Sequence, residues 1–157
     1  MTALVFQGKG ALVEALREAR ETLDRQLAMG LVSPNEALRA AAWDAVAEQA
    51  IRVTQVVTLL FRIERGAVSK PLAPIEVDAK ALAEQRARPQ ERLLADFRNA
   101  HAQLLRRLES WRDENILFER SRLVAPHASL AAWIWHVVGK RERELAAQFA
   151  AMSNERN

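Results

Sequence analysis

Apolar residues recur every three or four positions along most of the chain, which is the spacing of an amphipathic helix. In the first such stretch, residues 8–29, Leu12, Leu16 and Leu23 share one face while Glu and Arg residues occupy the other. Gly30 follows this stretch, and glycine commonly closes a helix. The pattern predicts a first long helix over residues 8–29.

A second long helix is predicted from the sequence SPNE at residues 33–36. Ser33 can cap the helix, a proline suits the first helical position, and the glutamate three residues after the serine completes a capping box. No glycine or proline then occurs before Gly66. One straight helix over residues 34–65 would be about 48 Å long, more than a compact domain of this size needs. We therefore expect a bend or break near residues 38–43.

The second half repeats this pattern after a loop with two prolines, residues 66–75. A short helix is predicted at residues 78–87, and a third long helix starts at Pro89 and buries a line of residues that ends at Trp111. Residues 115–128 contain another proline and are expected to be irregular.

The last helix is predicted at residues 129–152, where Ser129 can serve as the N-terminal cap. Its first half, residues 130–138, is apolar on all sides. A helix of that kind is normally surrounded by other helices, so we expect this one to lie at the centre of the fold.

Together these elements predict an all-α protein, a four-helix bundle with a long crossover loop between the second and third long helices. Each half has only two long helices and could not form a core alone, so residues 1–152 are predicted to form a single domain. Residues 153–157 are predicted to fray as a polar tail.

Composition and charge narrow the classes of function. Half of the 157 residues are hydrophobic and 27% are charged, as in an ordinary globular domain. The chain has no cysteine and does not start like an export signal, so a cytoplasmic protein without disulfides is expected. Its longest uncharged stretch, residues 123–139, is short for a membrane span. The net charge of +3 is spread over helices in which Arg and Glu alternate, so no nucleic-acid partner is expected.

Three segments of the sequence resemble the DinB-like superfamily, also called DinB/YfiT-like. They are residues 43–48 (WDAVAE), residues 83–111, and residues 129–149 (SLAAWIWHVVGKRERELAAQF). The resemblance implies a four-helix bundle of that type. It also implies a site in which three histidines bind one divalent metal ion, one from the second long helix and two, spaced four residues apart, from the last helix.

The sequence departs from that metal-site pattern at two of the three positions. His136 is followed four residues later by Lys140, whose ammonium has no lone pair to donate to a metal. The second-helix ligand should lie within residues 49–52, which read Gln-Ala-Ile-Arg and contain no histidine. Only His136 matches a ligand position, so neither a bound metal nor a cofactor is predicted.

A small ligand could still occupy the place of the metal. His136 and Lys140 share a helix face, and in the simpler interpretation they are a half-buried histidine and a lysine that reaches solvent. The sharper hypothesis is a cationic pocket for an anionic ligand. Its candidate residues are His136, Lys140, Trp133, Trp43, Gln49 and Arg52. Of the other histidines, His101 is expected in the core with one hydrogen bond satisfied, and His127 in a solvent-exposed loop.

Two classes of function remain open from the sequence. The first is a bundle without a metal or enzyme activity that binds a small, anionic ligand or a protein partner. The alternative, implied by the resemblance, is a metal-dependent transferase that uses a divalent ion such as zinc or nickel and a small thiol such as bacillithiol or mycothiol. The first is favoured because two of the three ligands are missing. A homodimer is left open, and no membrane partner is expected.

Overall fold

The computed structural model describes residues 6–154, which are mostly helical. In chain order its helices are α1 (Lys9–Gly30), α2 (Glu36–Glu64), α3 (Ala79–Arg86), α4 (Gln90–Glu109), α5 (Glu114–Phe118), α6 (Leu130–Ile134) and α7 (Arg141–Asn154). A π-helical turn, Trp135–Lys140, joins α6 to α7 without a break, and the three form the C-terminal helix. Residues 6–154 contain no β-strand, only an isolated bridge between Arg120 and Ser129. The prediction of an all-α fold is confirmed.

The four long helical segments pack around one interior. α2 packs along α4 and α1 along α7, while α1 also contacts α2 and α4, and α7 also contacts α2. The buried apolar side chains form two clusters. The loop-side cluster, next to the crossover loop, includes Leu16, Val53 and Val138. The turn-side cluster, next to the turn between α1 and α2, includes Leu23 and Phe97.

Between the two clusters lies a layer of buried polar groups, here called the polar layer, to which four helices contribute. Arg20 of α1 donates from Nε to Oε1 of Glu142 at 2.6 Å and from Nη2 to Oε2 at 3.1 Å. Its Nη1 donates to the backbone carbonyl of Phe97 in α4 at 3.1 Å. Gln49 of α2 donates from Nε2 to Oε2 of Glu142 at 3.2 Å. Arg20 and Glu142 are 5% and 1% exposed, so the ion pair is shielded from water on all sides.

His101 of α4 lies beside this layer and is buried, as predicted. Burial and, secondarily, the charges of Arg20 and Arg17 lower the pKa of His101 from 6.5 to about 3. Its Nδ1 is buried and has no hydrogen-bond partner within residues 6–154. The imidazole therefore stays neutral at physiological pH, because a second positive charge beside Arg20 would be costly in this interior.

The break predicted near residues 38–43 is absent. α2 is one helix of 29 residues, because its first turns bury side chains such as Leu38 and Trp43 in the turn-side cluster. At Gly30 the end of α1 comes so close that an added Cβ would lie 3.1 Å from Cβ of Ala42. The extra length of α2 is thus covered by α1, and nothing in its sequence interrupts the hydrogen bonds of the helix.

The cap of α2 also differs from the predicted capping box. Asn35 is the N-terminal cap, and its Oδ1 accepts a hydrogen bond from the backbone N–H of Leu38 at 2.8 Å. Ser33 instead accepts from the backbone N–H of Asn35 at 3.2 Å, so it shapes the turn that precedes the helix. Ser129 does cap α6, as predicted, by accepting from the N–H of Ala132 at 3.1 Å.

The expectation that the C-terminal helix is surrounded by other helices is wrong for one of its faces. Val138 is fully buried, but Val137 is half-buried, and His136 and Lys140 are exposed. The helix changes from α to π geometry at Trp135–Lys140, and a wider turn of this kind is often found at functional sites. Within it, Gly139 lies directly against the indole ring of Trp135, so that a Cβ at this position would overlap the ring.

The described chain ends within α7, and short helical elements occupy the connection between α4 and α6. Ser153 and Asn154 belong to α7, and the rest of the predicted tail and the first five residues lie outside the described residues. The segment predicted to be irregular after α4 contains α5 and a 3₁₀ turn, Arg122–Val124. None of the helices in the described part of the chain is long and apolar enough to cross a membrane.

Removing Glu142 should destabilise the fold strongly. In Glu142→Ala the guanidinium of Arg20 stays buried without its partner, so we expect the free energy of unfolding in urea to fall by about 3–5 kcal/mol. The matched control is Glu144→Ala, an exposed carboxylate two residues later, which should change stability by less than about 0.5 kcal/mol. Equal effects of the two substitutions would contradict the role given to the polar layer.

His101 should make the protein less stable as the pH falls. The unfolded chain takes up a proton near pH 6.5, but the folded chain does so only near its pKa of about 3, so the unfolded state binds more protons between these values. The free energy of unfolding should decrease through this window, approaching about 1.4 kcal/mol per pH unit. His101→Leu should remove that slope between pH 5 and 6.5, and an unchanged slope in urea titrations would contradict the neutral buried imidazole.

Candidate functional site

A cleft of about 320 Å³ opens between the crossover loop, the loop before α6, and the C-terminal helix. Its lining falls into two parts of different chemistry. The apolar part consists of Leu72, Ala73, Pro74, Ile75, Val124, Ala125, Pro126, Trp133 and Val137. The polar part consists of Arg52, His127, His136, Lys140, Arg141 and Glu144. The cleft therefore combines an apolar lining with five nitrogen-bearing side chains that could serve as hydrogen-bond donors.

The crossover loop is held in place as one side of this cleft. The backbone N–H of Leu72 donates to the carbonyl of Leu123 at 2.7 Å. Leu72 and Ile75 also pack against the loop-side cluster. The loop is thus a structural part of the cleft as well as a connection between α2 and α3.

Two histidines from separate segments lie against each other in the polar part. The ring centroids of His127 and His136 are 4.5 Å apart, and the ring planes are tilted by 44°. His127 comes from the loop before α6, where it is half-buried, so the expectation of a simply solvent-exposed residue is wrong. Burial, the neighbouring His127 and the charge of Lys140 lower the pKa of His136, while Glu144 opposes this effect. His136 is therefore neutral at pH 7 and can donate or accept a hydrogen bond.

Behind the cleft, one carboxylate holds two guanidinium groups. Glu48 accepts hydrogen bonds at Oε1 from Nη2 of Arg52 at 3.0 Å and from Nε of Arg141 at 3.1 Å, and at Oε2 from Nη2 of Arg141 at 3.2 Å. Burial alone would raise the pKa of Glu48, but the hydrogen bonds and charges of Arg141 and Arg52 outweigh it and lower this pKa. The carboxylate thus stays ionised and fixes both guanidiniums.

Among the cleft residues, one exposed ammonium and one buried guanidinium nitrogen have no partner within residues 6–154. The exposed ammonium of Lys140 lines the cleft and takes part in no salt bridge within residues 6–154. Nε of Arg52 is buried and has no hydrogen-bond partner in the described part of the chain. With Glu48 and Glu144 as the two nearby carboxylates, the three cations Arg52, Lys140 and Arg141 leave one positive charge in excess.

Four of the six residues predicted for the ligand pocket lie together at this cleft. They are Arg52, Trp133, His136 and Lys140. Of residues 49–52, the one that faces the cleft is therefore Arg52.

The other two predicted pocket residues lie elsewhere, and we correct their assignment. Gln49, on the inward face of α2, is fully buried and donates to Glu142 in the polar layer. Trp43 is near the start of α2 and belongs to the turn-side cluster, because the continuous helix carries it away from the cleft.

The sequence did not point to several residues that shape this site. Arg141 and Glu48 form an ion pair across two helices, but in the sequence each is one more charge on an alternating helical face. His127 lies nine residues before His136 in an irregular loop, and nothing in the spacing indicates that the rings meet. The position of the crossover loop depends on packing between distant segments, which a sequence pattern does not encode.

The residues of the cleft do not fit a divalent metal ion. The family resemblance places the three ligands at His136, Lys140 and one of residues 49–52, and of these last four residues only Arg52 lines the cleft with His136 and Lys140. A guanidinium and an ammonium have no lone pair to offer. Residues 6–154 contain no group of three or more His, Asp or Glu side chains placed to hold a metal.

Comparisons of the chain with protein-family models, with curated proteins and with solved structures found no match in any of the three. The DinB-like resemblance accordingly stays a prediction from the three sequence segments. The cleft, with its gathered donors, is the feature of the described residues on which a function can be based.

Introducing histidines at Arg52 and Lys140 should create a metal site. With His136, the Arg52→His/Lys140→His variant offers three imidazoles at one cleft, so calorimetry should show zinc or nickel binding at one ion per chain with micromolar Kd. The matched control is Ile51→His/Lys140→His, because Ile51 lines a groove on another face of α2, and this variant should bind at least about tenfold more weakly.

The wild-type chain is the second control in that experiment. It should show no stoichiometric binding at these concentrations, and micromolar binding of one ion would contradict the assignment of a cleft without metal ligands. A third variant, Lys140→His alone, tests His127 as a substitute ligand. If this variant binds metal and a further His127→Ala substitution abolishes the binding, His127 takes part in the site.

Proposed function

We propose that the protein is a divergent DinB-like four-helix bundle that binds a small anionic ligand in the cleft without a metal ion. The observation that carries the proposal is the ammonium of Lys140, which has no ion-pair partner within residues 6–154 and lines the cleft with two imidazoles and two fixed guanidiniums. An anion in the cleft can accept a hydrogen bond from Nζ of Lys140, an exposed donor with no ion-pair partner in the described chain.

Charge-assisted hydrogen bonds are roughly twice as strong as neutral ones, and this cleft is organised for them. Glu48 fixes Arg52 and Arg141 before any ligand arrives, so little side-chain entropy is lost on binding. His136 is neutral and can orient its ring to donate to the anion. Glu144 limits the total charge that the site can accept.

The arrangement of the helices and of the cleft residues is consistent with the family resemblance. A long loop connects α2 to the second half of the chain, and Arg52 of α2 lines the cleft together with His136 and Lys140 of the C-terminal helix. In this proposal Lys140 and Arg52 provide positive charge where relatives of the proposed family carry metal ligands. The cytoplasm remains the compartment expected from composition.

Enzyme activity is not part of this proposal. The cleft lacks the donor set for a metal-dependent transferase, and no serine, threonine or cysteine is among the residues that line it. A protein partner stays an alternative ligand for the same surface, and the titration below distinguishes the two, since a small anion must bind without any second protein.

Sulfate should bind to the cleft and should depend on Lys140. Sulfate keeps its charge between pH 6 and 8. In calorimetric titrations at constant ionic strength, any change in affinity with pH therefore reflects the groups of the protein and not the charge of the ion. We expect one ion per chain with a Kd of about 1 mM or tighter. Lys140→Gln should weaken binding at least about fivefold, because it removes a charged donor.

Lys80→Gln is the matched control, since Lys80 is an exposed lysine on α3 that does not line the cleft. It should leave sulfate affinity unchanged. Equal losses in both lysine variants would indicate nonspecific attraction to the net charge, and the absence of any binding by sulfate, phosphate or acetate would refute the proposed function.

A further inference from the structure

We infer that the natural ligand of the cleft is a small organic monocarboxylate with an apolar body, such as an aliphatic or aromatic acid. This inference rests on the proposed function and specifies its ligand class. It follows from the division of the cleft into an apolar and a polar part, from its charge, and from its size.

The apolar part faces a ligand from several directions. Leu72 and Ile75 approach from the crossover loop, while Trp133 and Val137 lie on the C-terminal helix. Because Ile75 and Val137 are only half-buried by the rest of the chain, they retain apolar surface that an occupant could cover. Covering apolar surface favours binding by a nonpolar group, and an inorganic ion has none to offer.

The polar part suits a carboxylate head group. Arg52 and Arg141 already hold one carboxylate, that of Glu48, and the planar guanidinium geometry matches a planar carboxylate. One positive charge is in excess at the cleft, which balances a monoanion. A dianion such as a phosphate ester would leave a net negative charge beside Glu144, another residue of the cleft.

The size of the cleft limits the body of the ligand. A volume of about 320 Å³ lies at the lower end of the range for small-molecule sites, roughly 300–1,000 Å³. An acid with a chain of several carbons or one aromatic ring fits this space.

A series of acids tests the inference on the full chain. Calorimetric titrations with acetate, butyrate and hexanoate should show affinity rising about twofold to fourfold for each added methylene. Hexanoate should therefore bind at least about tenfold more tightly than acetate. Hexanol, which has the same body without the charge, should bind at least about tenfold more weakly than hexanoate.

Ile75→Ser tests the apolar part directly. It should reduce the preference for hexanoate over acetate while leaving acetate affinity unchanged, because the head group contacts other residues. Ile116→Ser is the matched control, since Ile116 is 40% exposed on α5 and does not line the cleft, and it should change neither affinity. Thermal melting of both variants checks that they remain folded.

Three outcomes would overturn the inference. Equal affinity for acetate and hexanoate would show that the apolar part is not used, and equal affinity for hexanol and hexanoate would show that the charge is not needed. Tighter binding of sulfate than of hexanoate would favour an inorganic or phosphate ligand. In the first and third of these cases the proposed function survives, whereas it fails with the inference if no anion binds at all.

Discussion

The structure depends on one buried ion pair, Arg20 with Glu142. Two charges that are almost completely withdrawn from water are tolerated only when their hydrogen bonds are satisfied. Here Gln49 and the carbonyl of Phe97 supply the remaining partners. Since the partners come from four different helices, sliding α1 or α7 by a turn would separate the two charges, and sliding α2 or α4 would remove a hydrogen bond to one of them. The pair therefore selects one register among the many that the two apolar clusters alone would permit.

The same register builds the cleft. On α2, Glu48 precedes Gln49, and on the C-terminal helix Arg141 precedes Glu142, so each helix carries one residue of the polar layer next to one residue of the Glu48–Arg141 ion pair. When Gln49 meets Glu142 in the interior, Glu48 meets Arg141 at the surface. Neighbouring residues on a helix point about 100° apart, which is enough to separate a buried contact from an exposed one. The buried pair thus positions the guanidiniums of the site without touching a ligand.

Helix positions could be predicted from the sequence because spacing and capping are local properties, and α1, α3 and α4 follow the predicted bounds within a few residues. The predicted break in α2 failed because it rested on an expected domain size, whereas continuity depends on what covers the helix. The meeting of His127 with His136 and the pairing of Arg20 with Glu142 are contacts between distant segments. In the sequence, Arg20 is one of many arginines in an alternating run, and its burial is decided by the other three helices.

The π turn connects this register to the chemistry of the cleft. Gly139 and Trp135 pack together inside it, and any side chain at Gly139 would have to displace the indole. Because the turn is wider than an α-turn, it changes the direction in which the following residues point. Lys140, its last residue, faces the cleft, while Glu142, two residues later, faces the interior. A helix with regular α geometry from Leu130 onwards would rotate both residues together relative to the part of the helix before the turn, so the turn lets Trp133 pack in the loop-side cluster while Glu142 reaches the polar layer.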